Sequence, residues 1–245
     1  MWLISNKTFV RDSGLLENFH DCHCHLLPNV DDGVKETDET LQILEEWEDL
    51  GVKEVWLTPH VMEDVPNTPK DLKQAFEKLN TKYRGKIELH LAAENMMDGL
   101  FTNRLQENDL LPIGIEGKHL LIETSYYIPP INMEEIIEKI KSKKYIPILA
   151  HPERYQYMDA TAYRKWKQRG VLLQLNLPSL VGAYGPEALH KAEWLLNQGL
   201  YDFCGSDTHS INHTRYFLNS MIKKKTVKKV RKLIANTFII EEDRN

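Results

Sequence analysis

Residues 145–154 read Tyr145-Ile146-Pro147-Ile148-Leu149-Ala150-His151-Pro152-Glu153-Arg154, a short apolar run that breaks off into a histidine, a proline and two charged side chains. The same sentence recurs along the chain. The apolar run 19–25 closes on His23 and His25, and 53–59 closes on Thr58-Pro59-His60. The run 86–93 leads into Glu94, 118–123 ends on Glu123, 171–175 leads into Asn176, and 201–206 delivers Asp207-Thr208-His209. Runs of this length bounded by turn residues read as strands. Segments of helical period separate them, and strand–helix alternation of this kind specifies a parallel sheet with helices outside. The fold class expected is α/β, a distorted seven-stranded (β/α)7 TIM-like barrel, as one domain over 1–245.

Four helices are legible from their apolar stripes. Leu41, Leu44 and Trp47 mark one, stopped at Gly51. Leu72, Ala75, Phe76, Leu79 and Tyr83 mark another, opened by Thr68-Pro69 and ended by Gly85. Met133, Ile136, Ile137 and Ile140 form a third stripe, and Ala188, Leu189, Ala192, Leu195 and Leu196 a fourth between Gly185-Pro186 and Gly199. The segment 108–123 breaks the rhythm and predicts an extra hairpin around Gly117. Near the end, Val227, Val230 and Ile234 line one face of a helix whose other face carries lysines, which reads as a solvated cover for the barrel.

A chain of 245 residues with 42% hydrophobic and 27% charged residues is ordinary for a globular protein. A formal charge of -5 argues against a nucleic-acid partner bound through bulk charge. Three cysteines (Cys22, Cys24, Cys204) make no disulfide framework and suit a reducing compartment. Met1 to Lys7 turns polar too early for a signal peptide, and no apolar run approaches the ~20 residues of a membrane span. A cytoplasmic protein is expected, with its oligomeric state left open.

In a strand, side chains two apart share a face, so Asp21, His23 and His25 should align while Cys22 and Cys24 turn to the outer layer. Asp207 and His209 repeat the spacing, and Asp31-Asp32-Gly33 adds carboxylates. Each feature alone has a bland explanation: a lone H-x-H is a weak motif, and Gly-Ser-Asp is a common turn. Their coincidence at every predicted strand end is the argument for a metal site, because in a parallel barrel those ends share one rim. His20, His90, His119, His190 and His213 lie elsewhere and read as structural or solvated. A cysteine nucleophile fails on spacing: the residues six positions after the three cysteines, where the phosphate-cradling arginine belongs, are Pro28, Val30 and Ser210.

These residues resemble the polymerase-and-histidinol-phosphatase (PHP) superfamily, and within it the CpsB/CapC-type bacterial protein-tyrosine phosphatases. The resemblance rests on His23-Cys24-His25, Leu27-Pro28 with Asp31-Asp32-Gly33, Thr58-Pro59-His60, Glu94, His151-Pro152-Glu153-Arg154-Tyr155, Gln174-x-Asn176 and Ser206-Asp207-Thr208-His209. It implies two to three divalent ions, manganese first, with iron, zinc, cobalt or magnesium as substitutes. By matching position, His23, His25, Glu94 and Asp207 would hold one ion. Glu94 would bridge to a second, shared with Glu123 and His151, and Asp32, His60 and His209 would hold a third. Arg154 and Arg215 match arginines placed near the phosphate. The implied substrate is a phosphotyrosine protein, a bacterial tyrosine kinase that controls capsule or exopolysaccharide synthesis.

A nitrogen and oxygen ligand set without thiolate suits such ions. Two of them sharing a water would lower its pKa from about 15.7 towards about 7. Arg154 would grip phosphate oxygens with its planar fork, and His209 is a candidate proton donor to the leaving group. Two rivals follow from the same residues: a small-molecule phosphomonoesterase of histidinol-phosphatase type, and a non-catalytic module that retains metal. The filled ligand positions weigh against the second.

Overall fold

The computed structural model describes residues 6–237. The N-terminal peptide and the outer limits of the expected 1–245 domain lie outside the described residues. The strands are β1 (Lys7–Phe9), β2 (His20–Cys24), β3 (Glu54–Leu57), β4 (His60–Val61), β5 (Glu88–Leu91), β6 (Glu94–Met96), β7 (His119–Glu123), β8 (Ile146–Leu149), β9 (Leu172–Asn176), β10 (Phe203–Gly205) and β11 (Met221–Lys223). The helices are α1 (Thr37–Asp49), α2 (Pro69–Lys82), α3 (Phe101–Glu107), α4 (Met133–Ser142), α5 (Ala160–Gln168), α6 (Gly185–Gln198), α7 (Ile211–Leu218) and α8 (Lys224–Thr237).

The architecture is mixed α/β. A curled sheet of six parallel strands runs β10-β9-β8-β7-β6-β4, a second parallel sheet runs β2-β3-β5, and β1 pairs antiparallel with β11. Two of the expected strands, 53–59 and 86–93, therefore break into the short pairs β3/β4 and β5/β6. Pro59, which has no N–H to give a ladder, sits at the first break. Backbone bonds nevertheless cross between the sheets. Asp207 donates to His23 O at 2.8 Å and His25 to Thr208 O at 2.9 Å, while within the sheets Ala92 donates to Leu57 O at 2.9 Å and Glu94 to Pro59 O at 3.1 Å, carrying the β3–β5 pairing on into β4–β6.

Strand periodicity sorts the core into two faces. Val55, Leu57, Leu120, Ile122, Leu149, Leu173, Leu175 and Cys204 pack into the large cluster shared with the helices. The residues between them, Trp56, Leu121, Ile148 and Phe203, join Cys22, Ala92, Ile113 and Ala150 in a smaller one. Continuing that second face along each strand by steps of two arrives at His60, Glu94, Glu123, Asn176 and Asp207. The apolar face thus ends in the polar nest.

One expectation is corrected here. Cys22 and Cys24 do not share a face, because Cys22 joins the smaller cluster and Cys24 the larger. A register shift between Asp21 and Cys24 breaks the alternation. Without that shift Cys22 and the histidines beside it would point opposite ways. Asp21 leaves the expected line of ligands for a structural post, accepting from the Ser206 amide at 2.9 Å and the His23 amide at 3.2 Å.

The four stripes read from sequence become α1, α2, α4 and α6. Thr68 caps α2 by accepting from Asp71 N–H, and Gly199, at φ 65°, closes α6. The irregular segment before β7 contains a single antiparallel bridge, Ile113 to His119, beside a turn at Gly117. In α8, Val227, Val230, Leu233 and Ile234 are buried. The β1–β11 pair, α3, α5 and α7 carry no stripe long enough to be read in advance. No helix among the described residues is long and apolar enough to cross a membrane.

Candidate metal centre

β2 brings His23 and His25 together with their Nε2 atoms 3.2 Å apart. Both face Glu94 Oε2, at 3.0 and 3.2 Å, and Asp207 Oδ1, at 3.5 and 3.4 Å. These four residues form one group able to hold an ion. A second group joins His60, Glu94 and Glu123, with His60 Nδ1 2.9 Å from Glu123 Oε1 and 3.2 Å from Glu94 Oε2. A third joins His25, Asp32, His60 and His209, where Asp32 Oδ1 lies 3.5 Å from Nε2 of both His60 and His209. His151 Nε2 approaches Glu94 Oε1 to 3.0 Å and Glu123 Oε2 to 3.9 Å. Glu94 is the hub of the first two groups, and His25 and His60 each belong to two groups.

Whether these residues fit a cation is decided by what surrounds them. His23 Nδ1 faces Gln174 Oε1 at 3.0 Å, His25 Nδ1 faces Asp31 Oδ2 at 2.8 Å, and His209 Nδ1 faces the Asp207 carbonyl at 2.8 Å. Each acceptor calls for an N–H on Nδ1, which leaves a lone pair on Nε2 directed into the groups. Glu94 Oε2, Glu123 Oε1 and His60 Nδ1 are buried and have no hydrogen-bond partner among the described residues, although they stand at ion-pairing distance from one another. Buried donors and acceptors are ordinarily satisfied. Convergent imidazole nitrogens and carboxylate oxygens, several of them buried without a hydrogen-bond partner, fit a set of divalent ions.

Charge follows the same plan. Burial pushes the His23 imidazole down, but Glu94 and Asp207 outweigh it and hold it up at about 9. Burial likewise works to raise Glu94 and Asp207, yet the histidines around them keep both well below the usual carboxylate range. His60 is raised, by Glu94 and Glu123 against its burial. A hydrogen bond to His209 lowers Asp32.

Local backbone is bent to deliver these groups. His151 (φ 33°) and Asp207 (φ 50°) both adopt the left-handed conformation that non-glycine residues avoid. Gly205 lets β10 press against β2, since a Cβ there would sit 2.6 Å from the His23 Cβ.

Beside the centre, Arg154 donates from Nη1 to Asp207 Oδ2 at 2.7 Å. Its guanidinium lies between two aromatic rings, 4.4 Å from the centroid of Tyr126 and 4.2 Å from that of Tyr184. The Tyr184 hydroxyl also reaches Asp207 Oδ2 (3.4 Å) and His213 Nε2 (3.2 Å). A cavity of about 240 Å³ opens here, lined by Arg154, Tyr126, Tyr127, Tyr184 and Lys191 among others.

The structure therefore gathers His23, His25, Asp32, His60, Glu94, Glu123, His151, Asp207, His209 and Arg154 in one place. It does not bring in Arg215, which lies half exposed on α7 with Nε 3.8 Å from Glu46 of α1. Glu153, buried next to Arg154, is a structural anchor: it accepts from Asn176 N–H and from the Ser179 hydroxyl, both at 2.9 Å, and from the Tyr201 hydroxyl at 2.8 Å. Tyr126 and Tyr184 were not singled out in advance, since nothing local marks a tyrosine as the wall of an arginine slot. Gln174 and Asn176 had a usable signal, lying two apart at a strand end like the ligands themselves; Asn176 Nδ2 donates to Asp207 Oδ2 at 2.7 Å.

Parallel strands whose carboxyl ends converge on one nest of imidazoles and carboxylates, from β2, β4, β6, β7 and the turns after β8 and β10, place the molecule among α/β proteins with a candidate metal centre at the sheet's carboxyl end. More narrowly, the chain belongs to the CpsB/CapC family of capsular polysaccharide synthesis, whose model matches residues 19–243. It is 28% identical over 203 residues to the tyrosine-protein phosphatase YwqE of Bacillus subtilis, covering 80% of this chain and 79% of that protein. It is 26% identical over 222 residues to the tyrosine-protein phosphatase CpsB of Streptococcus agalactiae, covering 83% and 88%. The fold matches a solved structure from work on the metal-dependent tyrosine phosphatases YwqE of Bacillus subtilis and CpsB of Streptococcus pneumoniae, with a TM-score of 0.72 and 23% identity over 88% of this chain and 94% of that one. It also matches, at a TM-score of 0.53 and 13% identity, the lactonase Lmo2620 of Listeria monocytogenes, covering 91% and 92%. Such a scaffold hosts more than one hydrolysis, so the reaction has to be argued from the site.

Proposed function

We propose that this protein is a metal-dependent protein-tyrosine phosphatase. The observation that carries the reading is Arg154, a cation held against the rings of Tyr126 and Tyr184 and hydrogen-bonded to Asp207, a member of the first metal group. A planar cation fixed against a cluster of metal ligands is suited to a phosphate ester.

His23, His25, Glu94 and Asp207 would hold one ion, with Glu94, Glu123, His60 and His151 around a second and Asp32, His60, His209 and His25 around a third. This supports two to three divalent ions, manganese first. Bound there, they would supply Lewis acidity and bring the pKa of a water down towards about 7. The chain's own residues do the rest. Arg154 binds and orients the phosphoryl oxygens, whose charge has to be held as the bond to phosphorus forms. Gln174, Asp31 and the Asp207 carbonyl keep the imidazoles in one tautomer. In the net reaction water's oxygen bonds to phosphorus, the phosphorus–phenolic oxygen bond breaks, and a proton passes to the tyrosyl oxygen. His209, a quarter exposed at the rim, would supply that proton only while its Nε2 is not ligating the third ion, and a water at the same rim would supply it otherwise.

The backbone bonds that cross from the end of β10 to β2, with β3 and β5 running on along the chain into β4 and β6, support reading the two sheets as one closed barrel of seven strand positions within a single domain. Free, buried Cys22, Cys24 and Cys204 suit a reducing cytoplasm. An autophosphorylated bacterial tyrosine kinase of the capsule machinery is the substrate that fits the family.

The test is turnover by metal-stripped protein of a phosphotyrosyl peptide and of histidinol phosphate, with manganese, iron, zinc or magnesium added back. Metal-restored peptide turnover, lost in His23→Ala, is expected. Turnover of histidinol phosphate alone would move the activity to small-molecule metabolism.

A further inference from the structure

Between β7 and α4 the chain reads Ser125-Tyr126-Tyr127-Ile128-Pro129-Pro130-Ile131-Asn132. Single exposed apolar residues need no explanation, but a contiguous set does. Tyr127 is 68% exposed, Ile128 71%, and Ile131 is fully exposed. The same loop begins with Tyr126, one wall of the Arg154 slot, and Tyr126 and Tyr127 both line the cavity that Arg154 faces. At its other end, Pro130 and Ile131 edge a second cavity of about 570 Å³ floored by Met133, Met158 and Trp166.

We propose that this loop is the docking surface for the polypeptide flanking the phosphotyrosine, and that it selects a large apolar side chain near the scissile residue. The proposal rests on the phosphatase reading above. Three observations favour this occupant. The loop is continuous with the phosphate-gripping arginine, so a chain whose phosphotyrosine sits at Arg154 meets it next. From Tyr126 to Ile131 the span is at most about 18 Å, which about five extended residues of a substrate cover. The charges beside the second cavity are already spent on each other, Lys165 and Arg169 both pairing with Glu134. The surface therefore offers free apolar contact without free cations, which suits an apolar flank and not an anionic lipid surface. Pro129 and Pro130 stiffen the loop, which lowers the ordering cost of docking on it.

The experiment uses the full, metal-loaded chain and the double variant Ile128→Ser/Ile131→Ser. The substrates are a phosphotyrosyl peptide with leucines flanking the phosphotyrosine, the same peptide with serines there, and p-nitrophenyl phosphate. The wild type should prefer the leucine peptide by about tenfold, through KM, the effect of one well-buried aliphatic side chain. The double variant should lose that preference and keep its kcat and KM on p-nitrophenyl phosphate. An intact leucine preference in the variant overturns the proposal, and so does an equal loss on all three substrates. A change in sedimentation of the variant, with peptide kinetics unmoved, overturns it in favour of contact between copies of the chain. Failure of the wild type on both peptides, with turnover of other phosphomonoesters, would instead strike at the phosphatase reading and the docking surface together.

Discussion

Arg154 and Asp207 are joined by a 2.7 Å hydrogen bond, so the cation that would receive a phosphate is tied to a carboxylate that both His23 and His25 also face. Substrate binding and ion binding would therefore share an atom group. In Arg154→Lys the charge remains but the fork and its stacking between the tyrosines are lost. We expect kcat/KM for an aryl phosphate to fall about a hundredfold, with bound metal unchanged. Loss of metal in step with activity would show that Arg154 serves Asp207 and not the substrate.

Tyr184 separates two roles within one side chain. Tyr184→Phe keeps a ring over Arg154 and removes the hydroxyl from Asp207 and His213. Tyr184→Leu removes the ring as well. A cation–π contact of about 1 kcal/mol predicts that Leu raises KM several-fold more than Phe does. Equal effects of the two variants would assign the contribution to the hydroxyl.

His23 sets the direction of a pH dependence. Its pKa of about 9 stands above the ordinary 6.5 because Glu94 and Asp207 more than offset its burial. A pKa raised by folding contributes stability that is complete below the unfolded value and lost as pH climbs through the folded one. Glu94 and Asp207, held low, lose their contribution only in acid. Chelator-treated protein should therefore melt at lower temperature at pH about 9 than at about 7. Metal affinity should rise over the same interval, because the imidazoles must shed protons to bind. Thermal unfolding in matched buffers with chelator or manganese checks both, and a chelated Tm that climbs with pH would contradict the argument.

Glu153 makes a prediction of the opposite kind. Burial pushes its carboxyl up, and Asn176, Ser179 and Tyr201 all donate to it. Glu153→Ala would strand those donors and cost about 3 kcal/mol of stability. Glu153→Gln should cost less and retain metal. Denaturant unfolding with metal analysis distinguishes this anchoring role from ligation, which would empty the site in both variants.

Much of this was legible in the sequence because strand ends advertise themselves. An apolar run that stops on His60, Glu94, Glu123 or His151 announces both a strand and its polar terminus, and the period of two then says which neighbours share the face. The register shift in β2 was not legible: nothing in Asp21-Cys22-His23-Cys24 says that alternation fails there, because a bulge is set by the neighbouring strand. The break between β5 and β6 was hidden in the same way, whereas Pro59, in plain view, marked the one between β3 and β4. The company of Arg154 was hidden too, since Tyr126 and Tyr184 lie far apart in the chain and meet only through the fold. Arg215 followed a matching position, and its place on α7 turns it to Glu46 instead.

The left-handed backbone at His151 and Asp207 has a last consequence. Glycine accepts that conformation more readily than either residue. Glycine at His151 would relieve the backbone but empty the buried space the imidazole fills and take it away from Glu94, so the costlier residue is held where its side chain is needed.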